Sequence, residues 1–457
     1  MASPDSRGTW GSRAGFVLAA AGSAIGLGNI WGFPTMVGQG GGAVFVLVYL
    51  FCIFCLCLPI LIAELALGRR VQRDPVSVFA AISPGTPWWL VGALGVITGG
   101  AILAFYCVIA GWTVAYIWFS LSGAVSGDPA EVAAFFARFT ASGGMAAALG
   151  LGILLVTAGI LLGGVQSGIE RVTKVLMPAL LLLMLMLAAR AFTLPGAADG
   201  YAYYMRPDLS RLFDPAVFSG ALGQAFFSLS LGMGTMMTYG SYLRKSEGIG
   251  AAALWVVLLD TSVALLAGFI IFPSGFSIPG FDPSASGPGL IFAVLPQLFA
   301  TLPGGALFGA AFFLLLAMAA ITSTISLLEV PVAHAIDAHG WPRRRAVLVL
   351  TGTIFLLALP VALSQGAVPT FTVLPGLGID FLTLMITIWN NFSLPIGGLL
   401  IALFVGYVWK VDQALAELTL HGAWFPAPRL WSLLIRFVCP AAILVIIIAA
   451  LRPLLGV

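Results

Sequence analysis

The chain has 457 residues, of which 60% are hydrophobic and 8% charged, and its mean hydropathy is +1.08. A water-soluble domain needs about 25% charged residues to cover its surface, so that class is excluded. The net charge of +3 gives no reason to expect nucleic acid as a partner.

Apolar runs of about 20 residues, each long enough to cross a hydrocarbon core of roughly 30 Å, recur from end to end. In chain order they fall near 14–37, 43–68, 88–121, 146–163, 170–192, 214–242, 249–272, 307–336, 344–364, 378–410 and 430–452, about eleven in all. In lipid each backbone polar group must be bonded within its own segment, so runs of this length read as helices rather than a barrel. The expected fold class is an all-α, multi-pass integral membrane protein. No linker divides it, so 1–457 is one domain. The first run has the Arg13 and small-residue flank of a signal peptide, but it contains Asn29 and Pro34 and runs too long, so it stays a helix. The longest polar stretches, 122–145, 193–213 and 273–306, fall on one side, the last as a cap over an external vestibule. Cys52, Cys55, Cys57, Cys107 and Cys439 all lie within apolar spans and read as small buried hydrophobes.

Basic residues orient the bundle. Alternate loops counted from the N-terminus carry fourteen of the twenty, including Arg7, Arg69, Arg70 and Arg343; the opposite loops carry five, and Arg436 lies inside the last helix. This asymmetry predicts a cytoplasmic N-terminus and, after eleven spans, an external C-terminus.

Two spans share an interruption. The first contains Ile25-Gly26-Leu27-Gly28-Asn29 and the sixth Leu231-Gly232-Met233-Gly234-Thr235, both apolar–Gly–apolar–Gly–polar at mid-span. Glycine costs about 1 kcal/mol in a helix interior. One such pair reads as close helix packing; matching pairs five spans apart read as paired unwinding around a binding site at the membrane midplane. Unwinding exposes N–H groups at one half-helix end, which attract an anion, and carbonyls at the other, which attract a cation. Three carboxylates lie well inside spans, clear of their terminal residues. Asp260 must be paired or protonated, because an unpaired buried carboxylate costs several kcal/mol. Glu64 reads as an acceptor for N–H groups freed in the sixth span, and Glu329 as an ordinary polar contact near an inner helix end. His334, His339 and His421 lie near helix ends, and no Gly-x-Ser-x-Gly or HExxH motif occurs, so an intramembrane enzyme is disfavoured.

The run Gly22-Ser-Ala-Ile-Gly-Leu-Gly-Asn-Ile-Trp-Gly-Phe-Pro34 closely resembles the first-helix signature of the neurotransmitter:sodium symporters. The resemblance continues through Gly111-Trp112-Thr113, Gly223–Gly234, Ser241-Tyr242 and Thr322–Ser326, and covers nearly the whole chain in order. Eleven spans resemble the family's shorter bacterial branch, which implies a bacterial inner membrane. The family fold, the LeuT-type fold, implies two inverted five-helix repeats (14–192 and 214–410) and one additional helix (430–452).

The resemblance also implies a site. A first sodium ion would be held by Ala24, Asn29, Ser228 and Asp260, and a second by Gly22, Ile25, Ala319, Thr322 and Ser323. All are oxygen donors of the kind a hard cation takes. The hydroxyls of Thr322 and Ser323 equally suit back-bonding to their own helix. Chloride-dependent members carry asparagine where Asp260 stands and a serine one turn later, here Ala264, so the resemblance implies chloride independence. The substrate carboxylate would meet the backbone of Gly26 and Gly28 and the hydroxyl of Tyr106. Ser23, Ala24, Ile102, Phe227, Ser228, Ser230, Met233, Ser323 and Leu327 would line the rest of the pocket. Monoamine carriers place an aspartate where Gly26 stands, so the implied substrate is a small neutral, hydrophobic L-amino acid, imported with sodium; the alternative is an amine or indole-like compound. Arg7 and Asp337, with Trp10 and Tyr242, match the family's cytoplasmic gate, and Gly168 and Pro178 match its Gly-x9-Pro motif for unwinding the fifth helix. The external pair departs from the pattern: Gly32 stands in place of arginine and Ile386 in place of its acidic partner, with Asp380 the nearest substitute. The partners read from the sequence are membrane lipid and a small molecule; an oligomeric state is not legible in it.

Overall fold

Asp-Pro dipeptides start helices well, because the aspartate accepts the free N–H groups of the first turn and proline needs none. Asp74-Pro75, Asp128-Pro129 and Asp214-Pro215 each do so, with the aspartate carboxylate accepting from the N–H two residues on. The computed structural model describes residues 8–125, 127–278, 280–284, 291–292, 295–301 and 304–455. All regular elements among these are helical. In order they are α1 (Arg13–Ala24), α2 (Gly28–Gln39), α3 (Ala43–Val71), α4 (Pro75–Ile82), α5 (Trp89–Ser122), α6 (Pro129–Ala141), α7 (Gly143–Leu162), α8 (Val165–Ala191) and α9 (Ala197–Met205). There follow α10 (Pro215–Ser228), α11 (Thr235–Ser241), α12 (Ile249–Gly275), α13 (Leu295–Thr301), α14 (Gly305–His339), α15 (Arg343–Leu363), α16 (Phe381–Val408), α17 (Val411–Leu418) and α18 (Pro428–Leu451).

Nine of the described helices are long and apolar enough to cross a membrane, and the bent pair α1–α2 makes a tenth. The predicted sixth span completes eleven as α10 and α11, halves of 14 and 7 residues. The fifth span starts at Val165, five residues before the expected 170, because a π-helical turn carries the helix back to Gly164. The polar stretches are not plain loops. The first two contain α6 and α9, and the third begins as the last turn of α12 and contains α13.

Both interruptions are real. Between α1 and α2 the chain leaves the helix at Ile25, whose ψ is 103°, and the two halves bend by 49°. Between α10 and α11 it extends through Leu229–Gly234, with positive φ at Ser230, Gly232 and Gly234. Small residues let neighbouring backbones close in on the second break, as is usual between membrane helices. A Cβ on Gly95 of α5 would lie 3.1 Å from the Gly234 nitrogen, and one on Gly397 of α16 would lie 2.6 Å from the Gly232 oxygen. α5 and α14, 34 and 35 residues long, pack along each other behind the breaks.

On one side of the bundle a buried ionic cluster ties α3 to α17. The Arg69 guanidinium, fully buried, donates to the Glu417 carboxylate at 2.9 Å and to the backbone oxygens of Glu417 and Glu247. Lys245 reaches the same carboxylate at 3.3 Å.

Gly232 gives a direct test of the second break. Its φ is +76°, and a Cβ there would sit 2.4 Å from the Leu394 oxygen. Left-handed strain of about 1–2 kcal/mol and overpacking of about 1–3 kcal/mol add, so Gly232→Ala is expected to lower the thermal midpoint of the purified protein by several degrees. Gly100→Ala, inside α5 where a Cβ meets nothing within 4 Å, should leave it unchanged or raise it slightly. Equal midpoints for the two variants would contradict the strained conformation at Gly232.

Candidate functional site

Opening a helix in mid-membrane orphans backbone groups, and their new partners define this site. At the first break the Gly26 N–H is accepted by Asn29 Oδ1 at 3.1 Å and the Leu27 N–H by the Tyr106 hydroxyl at 2.8 Å. The Ser23 carbonyl accepts from Ser230 Oγ at 2.9 Å and Ser323 Oγ at 3.2 Å, and the Gly28 carbonyl from Gln224 Nε2 at 2.7 Å. At the second break the Gly232 N–H is accepted by Glu64 Oε1 at 2.8 Å, as its position in the sequence anticipates.

Eleven of the twelve residues expected around the substrate border one central cavity: Ser23, Ala24, Gly26, Gly28, Ile102, Tyr106, Phe227, Ser230, Met233, Ser323 and Leu327. The twelfth, Ser228, turns away, and its hydroxyl donates to both Asp260 carboxylate oxygens at 3.0 and 2.9 Å. Asn29 Nδ2 donates to the same carboxylate at 2.7 Å, so Asn29, Ser228 and Asp260 meet in one fully buried cluster. The second predicted ion set also converges. Thr322 Oγ1 lies 3.5 Å from the Ile25 oxygen and 2.9 Å from that of Ala319; a Cβ on Gly22 would touch Thr322, and Ser323 Oγ lies 3.3 Å from the Ala319 oxygen. The hydroxyls back-bond to their own helix and also face the first break. Chemically, the first cluster can hold a monovalent cation against a carboxylate, and the second can hold one among neutral oxygens.

The central cavity is contracted to about 20 Å³, room for about one water. Outside it lies a second cavity of about 710 Å³, which shares Gly28, Tyr106 and Phe227 with it. The Tyr106 and Phe227 rings, 6.4 Å apart, form the partition. Gln224 fills the space beside Gly32: a Cβ on that glycine would sit 2.9 Å from the Gln224 amide oxygen. Ile386 borders the outer cavity, as Gly32 does. Asp380 is not the expected substitute there. It caps the N-terminus of α16, accepting from the Thr383 N–H at 3.0 Å, and does not border the cavity.

On the other side of the site, Trp10 is fully buried, donates from Nε1 to the Tyr239 oxygen at 3.0 Å, and packs edge-on against Tyr239 and Tyr242. Arg7 lies outside the described residues. Asp337 accepts the Asp74 N–H at 2.6 Å. Burial alone would raise the Asp74 carboxyl, but hydrogen bonds from His334 and Ser77 outweigh it and hold the group below the usual carboxylate range. α8 runs helical through Gly168 and Pro178.

Three features escaped the sequence reading. The Glu329 carboxylate is no ordinary contact: it is fully buried, takes the Tyr242 hydroxyl at 2.6 Å, and forms a two-pronged pair with Arg343 at 3.0 and 2.7 Å. Glu170 closes the start of α1 by accepting from the Gly11 N–H at 2.7 Å and Ser12 Oγ at 2.9 Å; Gly15 is a glycine because a Cβ there would fall 2.0 Å from that carboxylate. Gln224 is the third. The available signals were an N-capping Ser12 ahead of an apolar run and the glycine at 32 itself.

The profile described as the Sodium:neurotransmitter symporter family matches residues 7–133 and 130–454. The sodium-dependent transporter YhdH of Bacillus subtilis is 38% identical over 444 residues, 96% of each chain. The sodium-dependent serotonin transporter of Drosophila melanogaster is 30% identical over 82% of this chain and 68% of its own. Among solved structures, MhsT in complex with L-phenylalanine matches with a TM-score of 0.90 and 44% identity, over 97% of this chain and 100% of that one.

Breaking a buried pair by removing one partner costs about 3–5 kcal/mol. Arg343→Leu should therefore lower thermal stability markedly, and adding Glu329→Gln should recover part of the loss. Thermal unfolding of the single and double variants checks this; additive losses would mean the two side chains act independently.

Proposed function

The chain belongs to the sodium:neurotransmitter symporter family of sodium-dependent symporters, and on that premise we propose that it imports a neutral L-amino acid with a largely apolar side chain. The observation that carries this is the central cavity. Among the described residues no acidic or basic side chain borders it, while backbone at Gly26 and Gly28 and the Tyr106 hydroxyl stand on one side of it and the Asp260 cluster lies next to the same break. A ligand entering such a site brings its own balanced charges. Its carboxylate takes the half-helix N–H groups and the Tyr106 hydroxyl, and a cation held by Ala24, Asn29, Ser228 and Asp260 lies beside it. A Cβ on Gly26 would fall within 2.6 Å of both the Ser323 and Tyr106 oxygens, so the position has no room for a carboxylate of its own.

Two ions are the proposed stoichiometry, the second held by Gly22, Ile25, Ala319, Thr322 and Ser323. Moving one charge through about 100 mV yields roughly 2.3 kcal/mol, and a tenfold gradient adds about 1.4 kcal/mol. Two ions thus supply about 7 kcal/mol, enough for a substrate gradient of order 10⁵. Asp260 provides in place a negative charge that chloride would otherwise bring, so transport is chloride-independent. The frame is two inverted repeats, 14–192 and 214–410, moving against each other in a bacterial inner membrane with the N-terminus cytoplasmic. Trp10, Tyr242, Arg7 and Asp337 form the inner gate, and unwinding between Gly168 and Pro178 hydrates the second ion site.

Sodium, and not potassium, should raise the thermal midpoint, by about 2.7 kcal/mol of stability at a concentration 100 times the dissociation constant. Asp260→Ala should abolish sodium-dependent substrate binding, while gluconate in place of chloride should leave uptake unchanged. Retained sodium dependence in the variant, or a chloride requirement in the wild type, would sink the ion assignments.

Competition for uptake tests the substrate. Neutral L-amino acids should compete and their decarboxylated amines should not, because each lost charge-assisted bond is worth about 1.5–3 kcal/mol and two imply at least 10²-fold discrimination. Tyr106→Phe should weaken binding and, by leaving the Leu27 N–H without its acceptor, also lower the thermal midpoint of the empty protein. Amines competing as well as their parent acids would replace this reading with that of an amine or indole-like carrier.

A further inference from the structure

We propose that His334 is a positioning residue for the inner gate. Through Asp74 it holds the Asp337 carboxylate in place, and it does so more firmly when its imidazole is charged, so acid on the inner side keeps that end of the site closed. This rests on the inner-gate part of the reading above and adds a residue and a pH dependence that the reading does not contain.

His334 and Asp337 stand three residues apart near the end of α14 and so share a face of the helix. Both clasp one residue, Asp74, in the turn between α3 and α4. His334 Nδ1 lies 2.8 Å from Asp74 Oδ1, and the Asp74 N–H donates to Asp337 Oδ2 at 2.6 Å. Asp74 is fully buried. Its Oδ1 also accepts from the Val76 and Ser77 N–H groups at 3.0 and 3.3 Å, while its Oδ2 has no hydrogen-bond partner among the described residues. A buried carboxylate needs a counter-charge. Among the described residues the ion-pair partner of Asp74 is His334.

Facing a carboxylate, Nδ1 carries its hydrogen in either charge state, and a second proton goes to Nε2. Water can deliver it, because 25% of the His334 side chain is exposed. Histidine is the side chain that changes charge between about pH 5 and 8. Asp74 stays ionised across that range, its carboxyl being held below the usual carboxylate range. A neutral imidazole gives Asp74 a plain hydrogen bond; a charged one gives a charge-assisted bond roughly twice as strong. No other group at this end of α14 takes over that part. His339 meets His334 edge-on at 5.3 Å and can bring only a like charge. Arg73 is exposed, Arg343 is committed to Glu329, and Arg345 stacks on Trp341 at 4.7 Å. α11 brings one tyrosine, Tyr239, and α4 and the start of α5 bring no titratable side chain.

The test follows labelling of a cysteine placed on the inner pathway of the purified full-length protein, in a background without reactive thiols, from about pH 8 to about pH 6. Rates are taken as the ratio of the parent protein to His334→Gln at each pH, so the thiol's own titration cancels. Glutamine can give Asp74 a neutral hydrogen bond and cannot become charged. The ratio should fall about 5-fold as the pH falls, the difference between a neutral and a charge-assisted bond. Asp74→Asn keeps a good cap on α4 and removes the charge, so its own ratio to His334→Gln should stay flat. If His334→Gln does not fold, Asp74→Asn serves as the reference in its place. A flat ratio for the parent protein would overturn the inference, as would a fall of the same size in Asp74→Asn. Asp337→Ala should raise labelling at every pH. Labelling unchanged by that variant would overturn the inner-gate reading itself, whereas raised labelling with a flat pH ratio overturns the role of His334 alone.

Discussion

The whole arrangement depends on one constraint: a backbone opened in the middle of a membrane must find new hydrogen-bond partners within the protein. Lipid supplies none, and each group left alone costs several kcal/mol. Two helices here are opened at the same depth, and the residues that receive their freed groups come from three other helices and from α10, half of the second opened one. Glu64 of α3 takes an N–H of the second break, and Tyr106 of α5 takes one of the first. Gln224 of α10 serves a carbonyl at the start of α2, and Ser323 of α14 serves another at the end of α1. The breaks also serve each other, since Ser230 donates to Ser23.

Three of those satisfying groups, Tyr106, Ser230 and Ser323, also border the central cavity, and this is where the fold meets the candidate site. Tyr106 holds the first break open and borders the cavity; Asn29 bonds the Gly26 N–H with its oxygen and Asp260 with its nitrogen. Any ligand whose carboxylate competes for Tyr106, or any cation that competes for the oxygens around Asp260, must rearrange the bonds that stabilise the break. Under the proposed function, ion and substrate are coupled because they draw on one shared set of hydrogen bonds around residues 26–29. No longer-range pathway is needed to link them.

The sequence made the breaks legible because glycine pairs at matching depths are costly in helices and have few explanations. The cavity-bordering residues were legible only through motif resemblance; Ile102 or Leu327 alone cannot be told from ordinary core. What escaped was of one kind. Glu329–Arg343 spans 14 residues, Glu170–Ser12 spans 158, and Arg69–Glu417 spans 348. Such pairs carry no local period or spacing, so only the tertiary fold brings them together. Asp380 erred in the opposite direction: an aspartate before a helix is first of all a cap, and the Thr383 N–H claims it. The early start of the fifth span has a similar origin, because Gln166 and Ser167 look like loop residues until a π-helical turn takes them in.

The two ends of the site are closed by different physics, and this gives the transport cycle a direction of effort. On the Trp10 side, closure uses a buried indole, a buried carboxylate paired with Arg343, and Glu170 fastened to the first turn of α1. Opening that end means admitting water to charges that are now desolvated, a change with large opposing terms. On the Gln224 side, the partition is two aromatic rings and one neutral amide, with glycine at 32 and isoleucine at 386 bordering the cavity beyond. Moving Phe227 aside breaks no ion pair. The partition is thus the easier of the two closures to open, and salt has little to screen there because it holds no paired charges. Under the proposed function, an ion bound at Asp260 and a substrate bound against Tyr106 both sit on the break that joins the two closures. Their binding energy acts where it can be spent on the harder one.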